Sequence, residues 1–313
     1  MRLAERLRER RSVAVVGLAK NAGKTTVVNH LLGSGGGRHG LASLGLDGEA
    51  RDQLTGLPKP RIAPPAGTLV ATTDELTGPG LTVRARLGFR TAVGEVVIAE
   101  ADGSGPVIVS GPARLDQLDE TLAELRRMGA ERVLLEGALG RLGPAAPGRA
   151  DAVVLAAGAS LANGRDDYPL RVKLAIDALE LPLFTDEPEL RVEHAAGYEE
   201  EVAALVAERG VTSAELTGAL TGPLLERLLR AGLRVSLVVA DPTHVLARPQ
   251  QVARARRGGV EVMARRRLAI CGITSSPFHP DVPLSAEESF DALARAVAGR
   301  WPVDDVISGM ISG

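Results

Sequence analysis

The segment Ser12-Val13-Ala14-Val15-Val16-Gly17-Leu18-Ala19-Lys20-Asn21-Ala22-Gly23-Lys24-Thr25-Thr26 passes from an apolar strand through a glycine-bearing turn into Gly-Lys-Thr and an apolar helix. That order of residue types suits a phosphate group. Backbone N–H groups of the turn and helix start converge on an anion, the Lys24 ammonium reaches terminal phosphates, and the Thr25 hydroxyl is an oxygen ligand for Mg²⁺. The expected cradle is Gly17, Lys20, Asn21, Ala22, Gly23, Lys24, Thr25 and Thr26. A nucleoside triphosphate is the expected ligand. The usual G-x-x-x-x-G-K-[ST] spacing asks for glycine at the position of Leu18, and Gly17 lies one place early. A variant with a second signature lysine would want it at Ala19, whereas Lys20 follows one place later. The loop therefore implies a nucleotide site without a subclass.

Two carboxylates follow apolar strands in the way a Mg²⁺ shell requires. Arg132-Val133-Leu134-Leu135-Glu136-Gly137 ends in an acid, and Asp47 closes the strand expected over 41–46. Parallel strands deliver their carboxyl ends to one side of a sheet, so Glu136, Asp47 and the Thr25 hydroxyl are expected to converge on one Mg²⁺. Lys24, Asp47 and Glu136 are thus the candidate catalytic set, and Thr25, Asp47 and Glu136 the metal set. A solvated strand-end acid also accounts for Glu136, and a simple Asp-Gly turn accounts equally for Asp47. The five histidines show no metal-ligand spacing, so zinc is not expected. No N-K-x-D sequence is evident, which leaves ATP and GTP both open at the level of residues. Lys59, in Pro58-Lys59-Pro60-Arg61, could present a cation on an extended stretch. Asp241-Pro242-Thr243-His244 and Thr274-Ser275-Ser276-Pro277 each end an apolar strand and could border a cleft.

Composition narrows the partners. The chain has 313 residues, 45% of them apolar but only 2% aromatic, so Ala, Val, Leu and Ile must fill the interior. So few rings leave little on which nucleic-acid bases could stack, and no nucleic-acid partner is expected. A formal net charge of −2 sets up no field favouring a polyanion or an anionic membrane. The single cysteine, Cys271, forms no internal disulfide and reads as a small core residue. No apolar run approaches the roughly 20 residues that a membrane helix needs. A cytoplasmic protein without membrane association is expected.

Elements alternate along the chain. A short helix is expected over 2–10, a strand over 12–16, a helix over 25–32, and strands over 41–46, 132–135 and 152–156, with helices over 115–128 and 170–179 and a short strand over 181–184. Between 55 and 113 prolines and β-branched residues predict a β-rich insertion. Beyond 186–197 the alternation restarts: helices over 199–208, 224–231, 249–257 and 286–298, and strands over 214–216, 235–240, 260–263 and 268–273. The expected architecture is an α/β P-loop NTPase domain over 1–190 with a mostly parallel sheet and that insertion, followed by a smaller α/β unit over 191–313.

Two resemblances bear on function. Leu134-Leu135-Glu136-Gly137-Ala138 resembles the strand-end Glu-Gly-Ala of dethiobiotin synthetase and the related cobyrinate amidases, P-loop enzymes of the SIMIBI branch in which that glutamate holds Mg²⁺. A longer set resembles the P-loop subunit of the reactivating factor for lysine 5,6-aminomutase: 17–26, Leu44-Gly45-Leu46-Asp47-Gly48-Glu49, Pro58-Lys59-Pro60-Arg61-Ile62, 67–72, 94–98, Ser110-Gly111-Pro112 and Glu136-Gly137-Ala138. These run in order through the first half of the chain, and the second half resembles that family loosely. The longer resemblance implies a Mg²⁺-dependent ATPase in lysine degradation. Its partners would be a MutS-like ATPase subunit and a cobalamin-dependent aminomutase stalled by damaged cofactor, which ATP turnover would release. The shorter one implies the alternative of an ATP-dependent ligase or kinase acting on a small metabolite.

Overall fold

The computed structural model describes residues 2–34, 36–47, 61–138, 142–279, 281 and 284–312. The chain packs as two compact units, one of residues 1–169 with 269–313, the other of residues 170–268. In chain order the first comprises α1 (Leu3–Arg6), β1 (Ser12–Gly17), α2 (Lys24–Ser34), β2 (His39–Ser43), β3 (Leu46–Asp47), β4 (Leu69–Thr73), β5 (Leu81–Arg90), β6 (Glu95–Ala101), β7 (Val109–Ser110), α3 (Leu115–Arg127), β8 (Arg132–Ala138) and β9 (Ala152–Gly158). Helix α4 (Tyr168–Leu179) carries the chain onward. The second unit holds β10 (Leu190–Val192), α5 (Glu199–Arg209), β11 (Ser213–Leu216), α6 (Gly222–Arg230), β12 (Val235–Val239), α7 (Pro249–Arg257) and β13 (Val260–Ala264). The chain then returns to the first unit with β14 (Ile270–Ser276), α8 (Ala286–Ala296), β15 (Val303–Asp304) and β16 (Ile311–Ser312).

The first unit is built on a sheet of ten strands in the order β16-β15-β14-β9-β1-β8-β2-β4-β6-β5. From β15 to β4 every pairing is parallel, and β16, β6 and β5 are antiparallel additions at the edges. Strands β1 and β9 are buried along their whole lengths, as expected where a parallel sheet is covered on both faces. Their Val-rich, small-residue composition suits that setting. Helix α3 buries Leu118, Thr121, Leu122 and Leu125 at helical spacing, places Arg126 and Arg127 in its last turn, and stops before Gly129, whose φ of 95° only glycine takes easily. The second unit is a four-stranded parallel sheet, β10-β11-β12-β13, in which spatial order repeats chain order. Helix α6 packs against both α5 and α7, and a separate core includes Leu224, Leu225 and Leu228 of α6 with Leu237 and Val239 of β12. Among the described residues no helix is long and apolar enough to cross a membrane.

The α/β class with a large, mostly parallel sheet is as expected, but its partition differs. The boundary expected near residue 190 falls at 169, and the unit expected over 191–313 ends at 268. Strand β14 pairs with β9, Ile273 beside Leu155 and Thr274 beside Ala156, so the C-terminal segment completes the first sheet. The reason is that an apolar strand fits either sheet by its own composition, and only the partner's open edge selects one. The β-rich stretch likewise extends the main sheet through β4, β6 and β5, with β3 and β7 forming a small ribbon. Residues 181–184 make an isolated bridge, Leu183 to Ala264, in place of a strand. Strand β2 ends at Ser43, before the expected 46.

The two ends of the chain are joined in the first unit. Asp304, 4% exposed, accepts a hydrogen bond from the Leu3 backbone N–H at 3.0 Å and pairs with Arg6. Removing the carboxylate strands both donors in a buried setting. Asp304→Ala is expected to lower unfolding stability by about 2–4 kcal/mol, read as an earlier midpoint in urea at unchanged slope. A midpoint equal to wild type would show the tie to be dispensable.

Candidate functional site

The loop expected to hold phosphate joins β1 to α2, on the strand at the centre of the parallel sheet. It is fixed from both sides. The Leu18 N–H donates to the Ala156 carbonyl of β9 at 2.9 Å, and the Ser160 hydroxyl donates to the Lys20 carbonyl at 2.7 Å. Asn21 and Gly23 take left-handed backbone angles, φ 59° and 91°, and Val27 N–H closes the first helical turn onto the Gly23 carbonyl at 3.1 Å. Left-handed residues in such a turn help to aim backbone N–H groups at an anion.

Glycines mark where the loop is tight. A Cβ on Gly17 would stand 2.8 Å from both Cγ and Cδ of Lys24, so the lysine stem lies folded against that glycine. This accounts for glycine at 17, while Leu18, 1% exposed, is a core residue. A Cβ on Gly158 would come within 2.7 Å of the Ala22 Cα, and one on Gly23 within 3.1 Å of the Ser276 Cβ. The ends of β9 and β14 thus form the loop's floor and wall.

The Lys24 Nζ is 3.5 Å from Glu136 Oε1, and the Glu136 side chain is fully buried. Register explains the meeting: in the parallel β1/β8 pair Glu136 lies beside Val15, and on the other flank beside Ser43 of β2. A buried carboxylate needs a counter-charge within a few ångströms, and Lys24 supplies it.

Of the expected site residues, Gly17, Lys20, Asn21, Ala22, Gly23, Lys24, Thr25 and Thr26 lie together on this loop and the first turn of α2, with Thr25 and Thr26 half-buried and Lys20 exposed. Glu136 joins them through Lys24. The Asp47 backbone lies in β3, pairing with Val109 of β7 just past the end of β2, but its side chain is outside the described residues. Lys59 is outside them as well. Among the described residues no group of three or more His, Cys, Asp and Glu could hold a metal by itself. The donor set at the loop, one carboxylate and a helix-start hydroxyl, suits a Mg²⁺ that takes its remaining oxygens from phosphate and water.

Gly158, Ser160 and Ser276 have no counterpart in the sequence-level motif. Their one local signal is a run of small residues after an apolar strand, Ala157-Gly158-Ala159-Ser160 and Thr274-Ser275-Ser276. The second run lies on β14, and so borders the loop of the first unit, whereas the sequence suggested a cleft in the second.

The chain matches no protein-family model, and no curated protein or solved structure matches it significantly.

Close packing of the loop on β9 has a measurable consequence. Gly158→Ala puts a methyl against backbone, so the loop must shift. A loss of about 1–3 kcal/mol is expected, together with amide shift changes confined to 18–26 in NMR spectra. Unchanged stability and spectra would place the loop farther from β9 than 2.7 Å implies.

Proposed function

We propose that the chain is a Mg²⁺-dependent P-loop protein that binds and hydrolyses ATP, and that it serves as the reactivation subunit of a cobalamin-dependent lysine aminomutase. The observation that carries the nucleotide part is the Lys24 stem folded onto Gly17 with its ammonium 3.5 Å from buried Glu136. A cation held there by a carboxylate behind it is pre-positioned for phosphate. The N–H groups of 19–25 would cradle the β- and γ-phosphates, and Lys24 would turn from Glu136 toward them. Mg²⁺, when bound, neutralises charge developing between those phosphates, and Thr25, Glu136 and Asp47 are the residues that would hold it, directly or through water.

The aminomutase part rests on the longer resemblance in sequence. Its physical form is a switch: the triphosphate and diphosphate states bind the partner unequally, and hydrolysis converts one affinity into the other. A MutS-like ATPase subunit would share that work, and the expected compartment is the cytoplasm.

The test uses the full chain with Mg²⁺ and ATP, following phosphate release. Lys24→Ala is expected to lower turnover by about 10²-fold or more, with its far-UV circular dichroism spectrum retained and its melt earlier than wild type, because buried Glu136 loses its counter-charge. Turnover equal to wild type would remove the site. A cobalamin-inactivated aminomutase with its MutS-like subunit is expected to raise turnover and recover mutase activity. Stimulation by a small metabolite and not by the mutase would replace the partner with a ligase or kinase substrate.

A further inference from the structure

The second unit has a carboxyl edge of its own. All four strands are parallel and end together at Val192, Leu216, Val239 and Ala264, and ligands of open parallel sheets bind outside such edges. Strand β12 hands the chain to Asp241, 1% exposed, which caps the single 3₁₀ turn Pro242–His244. One carboxylate oxygen of Asp241 accepts from the Thr243 N–H at 3.0 Å and the Thr243 hydroxyl at 2.5 Å, and lies 3.3 Å from His244 Nδ1. The other accepts from Arg266 Nη2 at 3.2 Å.

Three strand ends hold these groups still. The Arg266 N–H donates to the Ala240 carbonyl at 3.1 Å, the Leu220 N–H donates to the His244 carbonyl at 2.8 Å, and the Leu246 N–H returns to the Leu220 carbonyl at 2.9 Å. A turn cap needs only the bond from Thr243 N–H. The further convergence of an imidazole and a guanidinium on one buried carboxylate is more than the turn requires. Their outer parts stay accessible, the side chains of His244 and Arg266 being 37% and 57% exposed. With Nδ1 committed to Asp241, Nε2 of His244 makes no bond to a described residue.

We propose that His244 Nε2 and Arg266 form an oxyanion site that holds the carboxylate or phosphate of a small organic molecule. Charge supports it. Among these three groups the single negative charge of Asp241 faces two cations, the Arg266 guanidinium and a protonated His244, which favours an anion beside them. The hydrogen bond to Asp241 raises the His244 pKa, against partial burial and the nearby Arg266 cation. The same edge exposes apolar surface for an organic body, Tyr198 at 59% and Leu246 at 64%. On the adjoining loop His194 holds a left-handed φ of 55°, and its Cα is 3.7 Å from where a Cβ of Gly218 would stand. A non-glycine residue in that conformation is favoured where surrounding structure imposes it, and such residues cluster at ligand sites.

The probes are inorganic phosphate and acetate, added to the full-length protein at constant ionic strength set with chloride. The readout is the titration of each histidine ring by NMR. An anion beside the ring is expected to raise the His244 midpoint by about one unit, leaving His30 and His279 in place. Response to phosphate alone marks a phosphoryl ligand, and response to acetate alone a carboxylate. Arg266→Gln is expected to remove most of the response, with the far-UV circular dichroism spectrum retained and the melt earlier than wild type because buried Asp241 loses a cation. Lys24→Ala should preserve it, which separates this site from the nucleotide loop. A His244 midpoint insensitive to both anions, an equal shift at His30 and His279, or a full response in Arg266→Gln would each overturn the proposal.

Discussion

A fully buried carboxylate, Glu136, set beside the ammonium of Lys24 is the constraint around which the first unit is arranged. An isolated charge there would cost several kcal/mol, so β8 must run beside β1 in a register that brings the two within 3.5 Å. That register places the β1–α2 loop at the carboxyl ends of the parallel strands. The glycine at 17 follows from the same demand, since a side chain there would push the Lys24 stem away from the acid.

The second unit interrupts this sheet in sequence without interrupting its pairing. The chain leaves the first unit after β9 and returns as β14, which pairs with β9 in parallel. Both strands flanking the excursion touch the loop, β9 through Gly158 and β14 through Ser276. Completion of the loop's surroundings therefore waits on a strand more than a hundred residues beyond β9. A pairing of that separation closes a long loop before its contacts form.

Buried and exposed charges play different parts. Glu136, Asp304 and Asp241 are each nearly inaccessible, and each faces a lysine or an arginine. Pairs such as Arg114 with Asp116 and Arg127 with Glu124 lie at the surface, where water and salt leave such contacts worth little. Positional information is carried by the buried set. Removing one partner there leaves a charge without its compensation.

Local chemistry alone determined the loop, its lysine and hydroxyls, the strand-end Glu136, the α-helices and most of the longer strands, because periodicity and turn residues act within a few positions, whereas the short strands β10, β15 and β16 carry no such signal. The helices at 115–127 and 249–257 and the strand at 12–17 come within one residue of expectation at either end. Tertiary structure alone decided which sheet β14 joins, and hence the division at 169 and 268. It also decided that Gly158, Ser160 and Ser276 border the loop, and that Arg266 shares the carboxylate of Asp241 with His244. The physical reason is common to these cases. A strand's composition states that it needs a partner, and a buried acid's that it needs a cation. Which one answers depends on edges and side chains brought together only when distant segments pack.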